Sequence, residues 1–80
     1  MPVPANHPAQ PRLAEIFLKD MFAAKAVEKG GVIRRSVRVV EDRIGRRALI
    51  DEVDRRGFHI VECGGQFIVL CNTGQMKVIR

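Results

Sequence analysis

The chain is poor in cysteine and histidine and has no long apolar run. Two cysteines, Cys63 and Cys71, are too few for a disulfide scaffold. In the hairpin described below they fall on opposite faces, about five residues apart along the ladder. At roughly 3.3 Å per residue that is out of bonding reach, so reduced thiols packed as small core hydrophobes are expected. No stretch approaches about 20 apolar residues, so no membrane span is expected. The N-terminus lacks the basic start and apolar run of a signal peptide. These features together make the expected setting cytoplasmic. The two histidines, His7 and His59, complete no four-ligand zinc set with the cysteines. His59 and Cys63 would lie roughly 13 Å apart along one strand, too far for a nucleophile pair. The glycines form neither a dinucleotide fingerprint nor a Walker loop. No metal, no cofactor, no small-molecule substrate and no catalytic residue are expected, and the chain reads as a non-enzyme.

What is present is a small, basic, ordinarily hydrophobic chain. Eighty residues make one domain at most. A domain of this size buries only about 60% of the surface its unfolded chain exposes, and oligomerisation is a common remedy. Fourteen Lys and Arg, ten of them Arg, stand against nine Asp and Glu, for a net charge of +5. That balance suits a nucleic-acid or phosphate partner, and equally suits plain solubility charge.

Residues 1–11, MPVPANHPAQP, hold all four prolines and read as a flexible, polyproline-like tail. The domain is expected over residues 12–80. Leu13, Ile16, Phe17, Met21, Ala24 and Val27 recur at three- and four-residue spacing, predicting a helix that Gly30-Gly31 ends. Leu18, Phe22 and Ala26 widen its apolar stripe, which favours either a sandwiched helix or contact with a partner subunit. Residues 32–44, VIRRSVRVVEDRI, fit a helix through Ile33, Val37, Val40 and Ile44, with Ser36 as a possible cap. Their β-branched content also fits a strand; the helix is favoured. Gly45 breaks the run, and a helix over residues 46–56 follows with Leu49, Ile50 and Val53 inward and Gly57 as its stop. Helix-spaced opposite charges predict the pairs Arg38–Asp42, Asp42–Arg46, Asp51–Arg55 and Glu52–Arg56.

The last residues predict strands. Gly64-Gly65 as a primed turn pairs Glu62 with Phe67, Ile60 with Val69 and Phe58 with Cys71. A second turn at Thr73-Gly74 would bring Met76 to Cys71 and Val78 to Val69. One face then carries Phe58, Ile60, Phe67, Val69, Cys71, Met76 and Val78. The other carries His59, Val61, Cys63, Ile68, Leu70, Lys77 and Ile79, still with four aliphatic residues. The predicted fold is α+β: two to three N-terminal helices packed on a C-terminal three-stranded antiparallel meander.

Two surfaces are candidates for function. Arg34, Arg35, Arg38, Arg46 and Arg47 flank the break at Gly45, and Arg suits phosphate and guanine edges, so DNA or RNA is a candidate partner, with Gln66 at the hairpin tip. Val61, Ile68, Leu70 and Ile79, with Leu18 and Phe22 of the first helix, are candidates for a homodimer or partner interface. The alternative function is therefore a structural or protein-interaction subunit. Acid clusters such as Asp51-Glu52-Asp54 fall beside arginines and read as ion pairs.

The helix–turn–helix–hairpin order of residues 33–72 resembles winged helix-turn-helix regulators, which implies dimeric DNA binding. In that likeness Asp51 and Asp54 take positions usual for core residues. Ala48–Arg80 is similar to the small HicA-type RNA-cleaving toxins, with their double-stranded-RNA-binding-like fold. Those carry a catalytic His after a Gly-Ser at the second strand. Here the matching positions are Gly65-Gln66-Phe67, so an RNA-binding surface without cleavage is implied. The blocks AVEKGGVIRRSV and EVDRRGFHIVE resemble a family of short uncharacterised bacterial proteins, which implies nothing about activity.

Overall fold

A computed structural model describes residues 11–23 and 25–80. The expected tail lies outside the described residues except for Pro11, which opens the first helix, where its missing amide hydrogen costs nothing. The elements in order are α1 (Pro11–Phe22), α2 (Lys25–Glu28), β1 (Val32–Ser36), α3 (Val37–Arg43), α4 (Arg46–Arg56), β2 (His59–Cys63) and β3 (Gln66–Leu70). The three strands form one antiparallel sheet in the order β1-β3-β2, and the fold class is α+β as expected.

The hairpin has the predicted register. Glu62 pairs with Phe67 and Ile60 with Val69. Gly64 and Gly65 both take positive φ, 58° and 76°, the conformation that a two-residue primed turn requires.

The third strand is not the predicted one. Met76 and Val78 were expected beside β3, but that edge is occupied by β1, with Val32 opposite Leu70, Ile33 opposite Val69 and Arg35 opposite Phe67. Backbone bonds extend the ladder past both ends of β1: Cys71 N–H donates to Gly31 O and Val37 N–H to Gly65 O, each at 2.9 Å. With both edges of β3 paired, residues 75–79 cannot take the predicted place beside it. Met76, Val78 and Ile79 are exposed, the last two at 76% and 86%. The three consecutive strands on which the likeness to the RNA-cleaving toxins rests are therefore not formed.

The undecided segment 32–44 is both strand and helix, divided at Ser36. Ser36 has extended dihedrals and ends β1, while its Oγ accepts from Val39 N–H at 3.4 Å and caps α3. The favoured helix thus covers only Val37–Arg43. The first helix also differs from expectation. It closes at Phe22 with an i→i−3 bond from Ala23 N–H to Asp20 O, and the short α2 turns back against β1. Ala24 lies outside the described residues. The inward side of α1 is Ala14, Met21 and Phe22, with Phe17 and Leu18 partly buried, so Leu13 and Ile16 point outward.

All helices that pack on the sheet do so from one side. Ile33, Phe67, Val69 and Cys71 meet Val40 and Ile44 of the α3 end, Leu49 and Val53 of α4, and Met21 and Phe22 of α1. Asp51 and Asp54 are exposed, contrary to the core positions that the winged-helix likeness implied, because Leu49 and Val53 take the inward side. Two glycines make the connections possible. Gly45, buried between α3 and α4, has φ 84° and ψ 148°, a region open essentially to glycine alone. Gly57 is left-handed at φ 73°, and Phe58 N–H donates back to Val53 O, completing a Schellman cap.

Gly45→Ala is expected to cost about 1–3 kcal/mol in urea unfolding. Gly64→Asn, at a turn position where Asn accepts positive φ, is expected to leave the midpoint nearly unchanged. Equal effects from the two substitutions would contradict this assignment of strain.

Candidate functional site

The five candidate arginines do not converge. Arg46, in the first turn of α4, is engaged three ways: Nε to Glu41 at 3.1 Å, Nη2 to Glu62 at 3.0 Å, and its guanidinium over the Phe67 ring at 5.2 Å. The Glu41 hydrogen bond is the main cause of its raised pKa, so it is held firmly protonated. Its role is to tie the α3 end, α4 and β2 together. Arg47 pairs with Asp51 at 3.1 Å. Among the described residues Arg34, Arg35 and Arg38 have no acidic partner, but they point in different directions. Alternation along β1 puts Arg34 on the outward side of the sheet and Arg35 on the helix side, where its Nη1 donates to Arg34 O at 2.7 Å. Arg38 is exposed on α3.

Of the predicted ion pairs, Glu52–Arg56 forms, and Arg55 joins the same carboxylate. Asp51 takes Arg47 instead of Arg55, and Asp42 takes neither of its expected partners. Burial alone would raise the Glu52 pKa, but hydrogen bonds from Arg55 and Arg56 outweigh it and hold the carboxyl below its ordinary 4.5. Arg56 also lies over the Phe22 ring at 4.4 Å, and Phe22 stacks on Phe58 at 6.3 Å. Phe22 is 5% exposed and belongs to the core of this chain, so it is not free for a partner. Leu18 is half-buried beside it.

The other candidate surface is brought together by β1. The outward positions form three rows across the strands: Val32–Leu70–His59, Arg34–Ile68–Val61 and Ser36–Gln66–Cys63. Val32 and Val61 are exposed, Ile68 and Leu70 half-buried. Among the described residues none of the nine outward strand positions is Asp or Glu. Val61, Ile68 and Leu70 were anticipated as interface residues, and Gln66 as a nucleic-acid contact; Val32 and the placement of Arg34 beside Ile68 were not anticipated. The signal for them was the β-branched Val32-Ile33 pair directly after Gly30-Gly31. Ile79, expected on the same face, belongs instead to the segment after β3, which the structure leaves unpaired. His59 Nε2 donates to Gly74 O at 2.6 Å, and Asn72 Oδ1 accepts from Gly74 N–H at 2.6 Å, holding the 72–74 turn at one corner of the face.

Both cysteines are free, and they differ. Cys71 is core, as expected, and burial pushes its thiol pKa up against a smaller opposing effect of Arg56. Cys63 is exposed at the hairpin tip, not in the core, because alternation puts it on the outward side. Among the described residues no group of three or more His, Cys, Asp or Glu is placed to hold a metal ion, and no helix is long and apolar enough to cross a membrane. No family model, curated protein or solved structure matches the chain.

Under native conditions a thiol reagent should label Cys63 and spare Cys71, which reacts only on unfolding; peptide mass mapping reads this directly. Glu52→Gln should lower stability at pH 7 by up to about 1 kcal/mol. Because the folded-state pKa is depressed, this contribution is present above pH 4.5 and vanishes as pH falls through the lowered value. The unfolding curves of wild type and variant should therefore merge in acid.

Proposed function

We propose that this chain is a small non-enzymatic binding module that docks a protein partner on the outward face of its sheet. The observation that carries this is the adjacency of Val32, Leu70, Ile68 and Val61 on the side that no helix of the described residues covers, with Gly74, Gln75 and Met76 walling its Val32–Leu70 end. Contiguous exposed apolar surface on a small domain marks an interaction site more often than scattered apolar residues do. The face is built on paired strands, so it is held in shape before a partner arrives.

The second reading is a nucleic-acid-binding regulator. It is favoured by the order α3, Gly45 turn, α4, β2–β3 hairpin, which resembles winged helix-turn-helix domains. In such domains the second helix enters the major groove. Here the exposed side of α4 offers Arg47 already paired with Asp51 and Arg55 already paired with Glu52, together with Asp54. The hairpin end offers Glu62, Gly64, Gly65 and Gln66, with no base. Of the candidate arginines, those without an acidic partner among the described residues, Arg34, Arg35 and Arg38, diverge. Protein docking is therefore the better-supported function.

A gel-shift series with mixed DNA and RNA at rising salt separates the two. No shift is expected at micromolar protein and physiological salt. A shift that falls steeply with salt and is lost in the combined Arg34→Ala, Arg35→Ala, Arg38→Ala variant would reverse the choice, since phosphate contacts release counterions.

A further inference from the structure

We infer that the occupant of the outward sheet face is a single amphipathic helix with an acidic flank, supplied by a partner protein. This inference rests on the docking function proposed above and adds the shape and charge of the partner.

The shape follows from the size of the face. Three strands spaced about 4.8 Å apart span roughly 10 Å between their outer axes, and five residues at about 3.3 Å rise run roughly 13 Å. An α-helix with its side chains is about 10–12 Å across and rises 1.5 Å per residue. One helix of about three turns covers the face, and a second would overhang it. The apolar groups suit such an occupant. Val32–Leu70 and Ile68–Val61 are neighbouring cross-strand pairs, and Ile68 and Leu70 are two residues apart on the central strand. The four make one continuous patch running obliquely across the sheet, bounded beside Val32 and Leu70 by Gly74, Gln75 and Met76, and an i, i+3, i+4, i+7 stripe can match it.

The charge follows from what rings the patch. Of the nine outward positions, three on each strand, none is Asp or Glu. Arg34 stands beside Ile68, exposed and without an acidic partner among the described residues, so its stem can lie on apolar surface while its guanidinium meets the edge of a bound helix. Its nearest intrachain acid in sheet register, Glu62, is on the opposite side of the sheet and already holds Arg46. A second copy of this chain brings the same acid-free face, so a face-to-face pair would oppose Arg34 with no carboxylate. An acidic partner supplies what the face lacks.

The test uses the full chain and three labelled helical peptides of about fourteen residues with one leucine stripe. Their flanks are glutamate, glutamine or lysine, and binding is read by anisotropy, with sedimentation run alongside. The Glu-flanked peptide should bind most tightly and the Lys-flanked one about fivefold or more weakly, the swing from one exposed attraction to repulsion. Arg34→Glu should reverse that order. Ile68→Asp should abolish binding; Val61→Asp, at the exposed edge, serves the same purpose should the first variant lose its folded circular-dichroism spectrum. Equal binding of all three peptides, lost in Ile68→Asp, would overturn the acidic partner and leave the docking face standing. A dimer that Ile68→Asp dissociates would overturn it in favour of a second copy. Binding by none of the peptides to a monomeric chain would remove both the acidic helix and the docking function.

Discussion

The structure depends on which segment occupies the second edge of β3. One edge belongs to β2 through the two-residue Gly64-Gly65 turn. The other is claimed by β1, which arrives from more than thirty residues upstream and is bonded past both of its ends by Gly31 O and Gly65 O. That pairing buries Ile33 against the helices and turns Val32 and Arg34 outward. It also releases residues 75–79 from the sheet. The composition of the outward face, and therefore the proposed function, follows from this one choice of neighbour.

The charges do a different job from the one their density invites. Arg46 bridges Glu41 and Glu62 over the Phe67 ring, joining the α3 end, α4 and β2 at one corner. Arg56 bridges Glu52 and the Phe22 ring, joining the end of α4 to the end of α1. In a domain with so small a core, guanidinium groups laid over aromatic rings extend the packed interior by using the flat face of Arg as apolar surface. A net charge of +5 is compatible with this. Arg46, Arg47, Arg55 and Arg56 are paired within the chain, whereas Arg34 stands beside Ile68 on the outward face of the sheet.

Much of the fold is legible in the chain. The Gly64-Gly65 hairpin, its register, the α4 helix and its Gly57 stop are local: each is set by residues within about ten positions of one another, through φ preferences and alternation. The Ser36 cap is legible too, but its consequence is not. A cap says where a helix begins without saying that a strand ends there. The tilt of α1, with Ala14 inward and Leu13 outward, escaped because a helix that is apolar over most of its circumference does not declare which stripe faces the core. Of the candidate sites, Val61, Ile68 and Leu70 could be placed on one face from the hairpin alone, whereas Val32 and Arg34 could join them only once β1 was known to be a strand.

By itself, then, the chain order determined the local pieces: turns at glycines with positive φ, a helix that carries Leu49 and Val53 inward, a hairpin with one greasy side and one mixed side. The tertiary structure alone decided which strand completes the sheet and which arginines stay free. Two segments, Val32–Ser36 and residues 75–79, both carry β-formers, and β3 had only one edge left beside β2. The segment that brought Ile33 opposite Val69 and could be hydrogen-bonded past both ends took it. Such competition between distant segments is a sum over the whole packed domain, and no window of the sequence contains it.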